Sequence, residues 1–352
     1  MASSVADLAI LVNIRSQTAG LTGVQRYIRE LCRRLAGRVR TVSPEHPLHG
    51  TRGHLWEQMV LPGLTKGHLL WSPANTGPLT KGRQVLTVHD LACLDHPEWF
   101  GTRFAMWYRS IIPLLARHVN RLITVSEFSK QRLVELTHIP ESRVAVIPNG
   151  VDQRFHPQSA DDIREIREKT GIPSQAYLLS LSSLEPRKNL PFLLEAWGLS
   201  APRLPTDVWL VIAGAEGKEN IFRAMNIRSI PPRVLFAGFV ADNDLPALYS
   251  GAVALVYPSI YEGFGLPALE AMATGTVPIV AHSTALPEVV GDAGLLIDPV
   301  RVEDLAEAII RVVEDSDLRR TLSRRGIERG REFTWERAAD STWRILTEAD
   351  AD

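Results

Sequence analysis

Val253-Ala254-Leu255-Val256-Tyr257-Pro258, then Tyr261-Glu262-Gly263-Phe264-Gly265-Leu266-Pro267-Ala268-Leu269-Glu270-Ala271-Met272-Ala273-Thr274-Gly275, decide the fold. The first segment is a short apolar run of strand type. Two glycines around Phe264 then let backbone approach a ligand closely. Pro267 suits a helix's first turn and Gly275 the position past its end. The order is strand, glycine turn, helix, which predicts an α/β sheet with ligands at the carboxyl ends of its strands. The helix start after Gly265 offers unpaired N–H groups and a positive dipole end, an anion site. Glu262 precedes that helix and Glu270 lies within its first turns. A diphosphate on the dipole, with hydroxyls on the two carboxylates, describes a nucleotide sugar.

Upstream, the strand Tyr177-Leu178-Leu179-Ser180-Leu181 leads into Ser182-Ser183-Leu184-Glu185-Pro186-Arg187-Lys188-Asn189. Adjacent Arg187 and Lys188 at a strand tip suit a diphosphate, one as a planar fork and one as a point charge. Further strands are read at Trp209–Gly214, Val234–Val240 and Val277–Ala281, alternating with helices. Gly214-x-x-Gly217-Lys218-Glu219 is too short for a P-loop and lacks its Ser or Thr. Asp242-Asn243-Asp244 precedes a helix and is read as capping rather than as a metal motif. No metal-ligand cluster is read.

Glu-x7-Glu enclosing Gly263-Phe264-Gly265-Leu266-Pro267, together with Pro186-Arg187-Lys188-Asn189, resembles the donor-site signature of the retaining family 4 glycosyltransferases of the GT-B fold. His89-Asp90-Leu91 through Pro97-Glu98-Trp99-Phe100 is similar to that family's His-Asp loop, most of all in bacterial mannosyl- and rhamnosyltransferases. Gly23-Val24-x-Arg26-Tyr27 resembles its phosphate loop, with Thr22 in place of a glycine. The resemblance implies two Rossmann-like doubly wound domains facing a central cleft. It implies catalytic roles for His89, Arg187, Lys188 and Glu262, and donor contacts from Gly23, Ser182, Gly238, Val240, Gly263, Phe264, Gly265, Leu266 and Glu270. Glu262 would hold sugar hydroxyls, Glu270 the ribose, and the edge at Gly238 and Val240 the base. Ser182 departs from the family's glycine. The other reading of His89 is a loop-shaping hydrogen bond to Asp90.

The implied reaction moves a hexose, mannose or related, from a nucleoside-diphosphate sugar to a glycan or lipid-linked acceptor in polysaccharide or O-antigen assembly. GDP-mannose is the first guess for the donor, with no cofactor and no metal. The rivals are a nucleotide-sugar epimerase, needing no acceptor, and a non-catalytic sugar-nucleotide-binding scaffold.

The 352 residues favour two domains. They are read as 1–152, completed by a helix over 336–352, and 153–335. The net charge of −1 hides an asymmetry. Residues 1–150 carry 18 Lys and Arg against 10 Asp and Glu, whereas the remainder is acidic. A basic half suits an anionic acceptor or peripheral contact with an anionic membrane, and no nucleic acid is expected. Cys32 and Cys93 make no disulfide framework and are read as core residues in a reducing cytosol. Asp7 breaks any leader pattern, and no run reaches the ~20 apolar residues of a membrane span. The expectation is a cytoplasmic protein peripheral to the inner face of the membrane. Residues 41–83 are rich in Pro and Gly, escape assignment, and are expected to shape the acceptor site. Phe104–Arg117 is read as a core helix kinked at Pro113, with an interfacial helix as the alternative.

Overall fold

The computed structural model describes residues 10–18, 22–173, 176–182, 185–214 and 230–351. The chain divides into two compact units. One comprises Met1–Gly150 with Phe333–Asp352, the other Val151–Glu332. The divisions fall two and three residues before those read from the sequence. Gly150 explains the first: a Cβ there would lie 2.1 Å from the Trp335 backbone nitrogen, so this glycine lets the returning chain pass.

The first unit holds strands β1 (Ile10–Asn13), β2 (Arg40–Val42), β3 (Leu69–Ser72), β4 (Gln84–Val88), β5 (Arg121–Thr124) and β6 (Val144–Val146). They form one parallel sheet in the order β2-β1-β3-β4-β5-β6. β1, β3 and β4 are buried along their whole length, as parallel strands covered on both faces require. On one face, Leu86, Val88 and Leu122 pack with Ile111, Ile112 and Leu115 of helix Thr102–His118. The helix Trp335–Ala351 packs against β3, β4, β5 and the helix Gly23–Arg34. Tyr27 stands edge-on to both Trp71 and Trp335.

The unassigned stretch 41–83 contains β2, helices Gly50–Met59 and Leu61–Leu64, and β3. Helix Gly50–Met59 buries only Gly53 and Glu57, so no apolar stripe announced it. Helix Thr102–His118 runs through Pro113. It is half core: Ala105, Ile111, Ile112, Leu115 and Ala116 are buried, while Phe104, Met106 and Leu114 are exposed.

The second unit holds β7 (Ala176–Leu181), β8 (Val208–Ala213), β9 (Val234–Gly238), β10 (Ala254–Tyr257), β11 (Val277–Ala281) and β12 (Leu295–Ile297). These too are all parallel, in the order β12-β11-β10-β7-β8-β9. Alternate residues serve opposite faces. Leu178, Leu210, Ile212, Ala254 and Val256 join one core with Trp197 and Ile309. Tyr177, Leu179, Val211, Leu255 and Tyr257 join the other with Ala268, Ala271 and Leu286. Each fully buried Leu or Ile contributes roughly 1.5–3 kcal/mol. Helix ends follow local chemistry. Ser159 caps Ala160–Thr170, whose end is closed by left-handed Gly171.

Candidate active site

In the second unit β7 pairs with β8 on one side and β10 on the other, so the strand order reverses between β7 and β10. That reversal opens a crevice beyond the strand tips. The chain leaving β7 makes the tight turn Pro186–Lys188, and the chain leaving β10 runs through Ser259 to Glu262. Ile260 N–H donates to the Arg187 carbonyl at 2.8 Å, which ties the two loops together.

Glu262 is the centre of this crossing. Its Oε2 accepts from Arg187 Nη1 at 2.9 Å. Its Oε1 accepts from Lys188 Nζ at 2.7 Å, Tyr257 Oη at 2.7 Å and Ser259 Oγ at 2.6 Å. Lys188 Nζ also donates to the Tyr257 hydroxyl. A carboxylate has about four acceptor sites, so this one is nearly saturated by the protein. Burial would raise the Glu262 carboxyl, but the Lys188 and Arg187 charges outweigh it and hold the group down at about 2. Burial lowers Lys188, and neighbouring Arg187 adds to that, against the pull of Glu262. The Glu262 N–H donates to Thr284 Oγ1 at 3.1 Å. Thr284 has φ 54°, a strained value for a β-branched residue and one seen where a site over-determines its backbone.

Downstream, Gly265 sits left-handed at φ 107° and starts the helix Leu266–Ala273, with Pro267 in its first turn. Gly263 and Phe264 are buried and Leu266 is half-buried beside it. Glu270 is buried in this helix and accepts from the Tyr249 hydroxyl at 3.0 Å. Ser182, just past β7, is buried, and its N–H donates to the Ala213 carbonyl at 2.9 Å. Gly238 ends β9 and its carbonyl accepts from Gly214 N–H at 2.8 Å; half-buried Val240 packs on the core beyond it. The segment Gly217-Lys218-Glu219 lies outside the described residues. Asp244 occupies the cap position of helix Leu245–Ser250 without a capping bond, and ion-pairs with Lys169 instead. Among the described residues no three His, Cys, Asp or Glu side chains gather as a metal ligand set.

In the first unit the strand order reverses between β1 and β3. His89, beyond β4, is buried, with Nε2 2.8 Å from the Pro73 carbonyl and the Tyr27 ring edge-on at 4.7 Å. A carbonyl only accepts, so Nε2 carries the proton and Nδ1 is the acceptor. Burial pushes this imidazole down to about 4, so it is neutral near pH 7. Asp90 Oδ1 accepts from the Ala92 N–H at 3.1 Å, and the loop-shaping partner of the ring is Pro73. Gly23 is exposed at the start of its helix, behind a Thr22–Gln25 capping box; Gly20 and Leu21 of that loop lie outside the described residues.

At the β1–β3 reversal lies a polar cluster that the sequence did not announce. Glu57 is fully buried, accepts from Asn13 Nδ2 at 2.8 Å and from Arg15 at 3.4 Å, and has His54 at 3.7 Å. The His54 ring in turn lies 5.4 Å from that of Trp107 and 6.0 Å from that of Tyr108. Burial would raise Glu57, yet its His54 and Arg15 partners hold it below the usual carboxylate range. Tyr257 and Ser259 were missed likewise. Their hydroxyls are adjuncts of Glu262, a relation visible only once β10 is folded.

The family profile described as "Glycosyl transferases group 1" matches residues 162–329, and that described as "Glycosyltransferase Family 4" matches residues 66–155. The chain is 31% identical over 262 residues to an O-antigen chain mannosyltransferase B of Escherichia coli, covering 74% of this chain and 69% of that one. The chain belongs to the family 4 glycosyltransferases of the GT-B fold. It is also 29% identical over 265 residues to the serotype-specific mannosyltransferase WbdA of Escherichia coli, but spans only 32% of that protein's length. Its fold is that of Anabaena HepE, solved in complex with UDP and glucose (TM-score 0.76, 18% identity, 97% of this chain and 99% of that one). It is equally that of WaaG, a glycosyltransferase involved in lipopolysaccharide biosynthesis (TM-score 0.76, 17% identity, 96% and 99%).

The second unit's crevice carries two half-buried cations, Arg187 and Lys188, and downstream of them a helix N-terminus. The described residues include no helix long and apolar enough to cross a membrane. Cys93 is buried and Cys32 half-buried, both as free thiols.

Proposed function

We propose that this glycosyltransferase moves mannose, with retention of configuration, from GDP-mannose to a glycan or lipid-linked acceptor in O-antigen-type polysaccharide assembly. The observation that carries the reading is the pairing of Arg187 and Lys188 on Glu262 at the β7–β10 reversal. Two cations held at a strand tip match a diphosphate in charge and in span. The identity to O-antigen mannosyltransferases supports the sugar and the pathway class. In this reading Arg187, Lys188 and the amides after Gly265 stabilise charge growing on the diphosphate. Glu262 accepts sugar hydroxyls, Glu270 accepts the ribose hydroxyls, and Gly238 and Val240 border the base. The leaving phosphate itself takes the acceptor's proton, so no protein base and no metal are assigned.

The acceptor is assigned to the first unit, at the cluster of Asn13, Arg15, His54 and Glu57. Mixed polar groups beside Trp107 and Tyr108 suit a saccharide, which offers hydroxyls and apolar ring faces together. Exposed Leu55, Met59, Phe104, Met106 and Leu114, on helices that also carry Arg52, Arg103 and Arg109, support peripheral contact with an anionic membrane. Co-sedimentation with anionic but not neutral vesicles tests that contact.

The deciding experiment is a screen of GDP-, UDP-, ADP- and dTDP-sugars by thermal stabilisation, followed by NMR of the anomeric product. Stabilisation by GDP-mannose and an axial product are expected. Stabilisation by none of the four overturns the nucleotide-sugar reading. Conversion of a nucleotide sugar without any acceptor would make the protein an epimerase.

A further inference from the structure

We infer that Tyr257 is a positioning residue of this site, its hydroxyl a bridge that keeps Lys188 charged and aimed while fixing Glu262. Its place in the donor reaction rests on the nucleotide-sugar reading above; the bridge itself does not.

Tyr257 is the last residue of β10 and its side chain is buried in the core shared with Ala268 and Leu286. A buried phenol at a strand tip must have its O–H satisfied. Here the geometry fixes both roles of the oxygen. The ammonium of Lys188 can only donate, so the phenol oxygen accepts from it. The phenol proton then goes to Glu262 Oε1 at 2.7 Å. Lys188 reaches the same Oε1 directly at 2.7 Å, which closes a three-membered ring of hydrogen bonds. Such a ring is directional only if the tyrosine is neutral. Burial, and then the Glu262 charge, raise the Tyr257 phenol well above its ordinary value, which keeps it so.

The groups facing Lys188 come from both sides of the crossing: Arg187 and Glu185 on its own turn, Tyr257 at the end of β10 and Glu262 beyond it. Of these, burial and Arg187 favour loss of the proton, and Glu262 and Glu185 favour keeping it. Tyr257 adds an acceptor on the side that Glu262 does not occupy. Ser259 is the internal comparison. Its hydroxyl also bonds Glu262 Oε1, at 2.6 Å, and no bond joins it to Lys188. Removing Tyr257's oxygen should therefore disturb the lysine, and removing Ser259's should not.

The test follows the Lys188 ammonium in the full chain by 13C NMR of its ε-carbon, assigned with Lys188→Arg. Tyr257→Phe is expected to lower the pH at which Lys188 titrates by about one unit, the size of one hydrogen bond to a charged group. Ser259→Ala is expected to leave it in place. The basic limb of kcat/KM should move with the same sign in Tyr257→Phe. An unmoved Lys188 titration in a folded Tyr257→Phe overturns the inference. Should that variant fail to fold, the triple variant with Lys188→Met and Glu262→Gln decides. With neither charge left for the hydroxyl to bridge, the phenylalanine should be tolerated, and a triple variant that fails to fold where Lys188→Met with Glu262→Gln alone folds shows the hydroxyl to be structural and overturns the inference. The NMR titration needs no donor. A protein that bound no sugar nucleotide would therefore fail the functional reading while still deciding the Tyr257 bridge.

Discussion

Lys188 Nζ lies 2.7 Å from Glu262 Oε1, so the protein's own carboxylate engages one of the two cations proposed to receive the donor diphosphate. Arg187 is engaged by the other oxygen at 2.9 Å. On the proposed reading, a diphosphate competes with this carboxylate for both cations. Glu262→Gln removes the competing charge while keeping the side chain's shape. Binding of free GDP is expected to tighten about tenfold, while sugar transfer falls because sugar hydroxyls lose their carboxylate. Isothermal titration with GDP, set beside turnover of the sugar nucleotide, checks this. Unchanged or weaker GDP binding would refute the competition.

Lys188→Ala removes the other partner. Charge stabilisation on a leaving group is worth ~10²–10³ in rate per donor, and a loss of kcat of that order is expected. The variant also leaves Glu262 buried with one cation fewer, a change that typically costs ~3–5 kcal/mol. Turnover is thus to be compared only at a temperature where the variant's circular dichroism is native. Wild-type turnover there would remove Lys188 from the mechanism.

The pH dependence of stability has a worked sign at His89. Its folded value of about 4 lies below the ordinary value of 6.5. Between those two pH values the unfolded chain binds the proton and the folded chain does not, so stability falls as pH drops through that window. The full loss is about 3 kcal/mol. His89→Gln, which keeps a donor for the Pro73 carbonyl, should flatten the slope of ΔG against pH there. Equal slopes in urea titrations of both proteins would show the ring to be accessible to protons when folded.

What the sequence announced and what it hid differ in range. The helix after Gly265 was legible because Pro267, Gly265 and Gly275 act locally. The restart of strands at Tyr177 was legible because apolar runs mark parallel strands wherever they fall. The pairing of Arg187 and Lys188 with Glu262 joins residues some 74 positions apart, and only the strand reversal brings them together. Saturation of Glu262 by Tyr257 and Ser259 was hidden for the same reason. Glu57 was hidden because its helix, Gly50–Met59, buries a charge and a glycine instead of an apolar stripe.

Glu57 gives a prediction for the other substrate. Glu57→Gln keeps the volume and an acceptor for Asn13 but drops the charge facing Arg15 and His54. Stabilisation by the donor nucleotide should remain, because the donor residues lie elsewhere in the chain. Transfer to a polysaccharide acceptor fraction should fall at least about tenfold, the scale of one charge-assisted contact. Loss of donor stabilisation instead, or full transfer, would detach this cluster from the acceptor.

Gly265 tests the helix N-terminus. Its φ of 107° is a backbone that L side chains avoid, and a Cβ there would lie 2.6 Å from Leu286 Cδ2. Leu286 is fully buried in the second unit's core and cannot swing into solvent. Gly265→Ala therefore meets two separate penalties: a left-handed residue, at ~1–2 kcal/mol, and an overpacked contact, at ~1–3 kcal/mol. Adding Leu286→Ala relieves the contact but leaves the φ penalty, and opens a cavity of its own. If the turn aims amides at a phosphate, the single variant should raise the KM for the donor, and the double variant should not restore it, since the backbone remains displaced. If both variants melt early but keep a wild-type KM, the turn serves folding alone and the diphosphate is held by Arg187 and Lys188 without the helix.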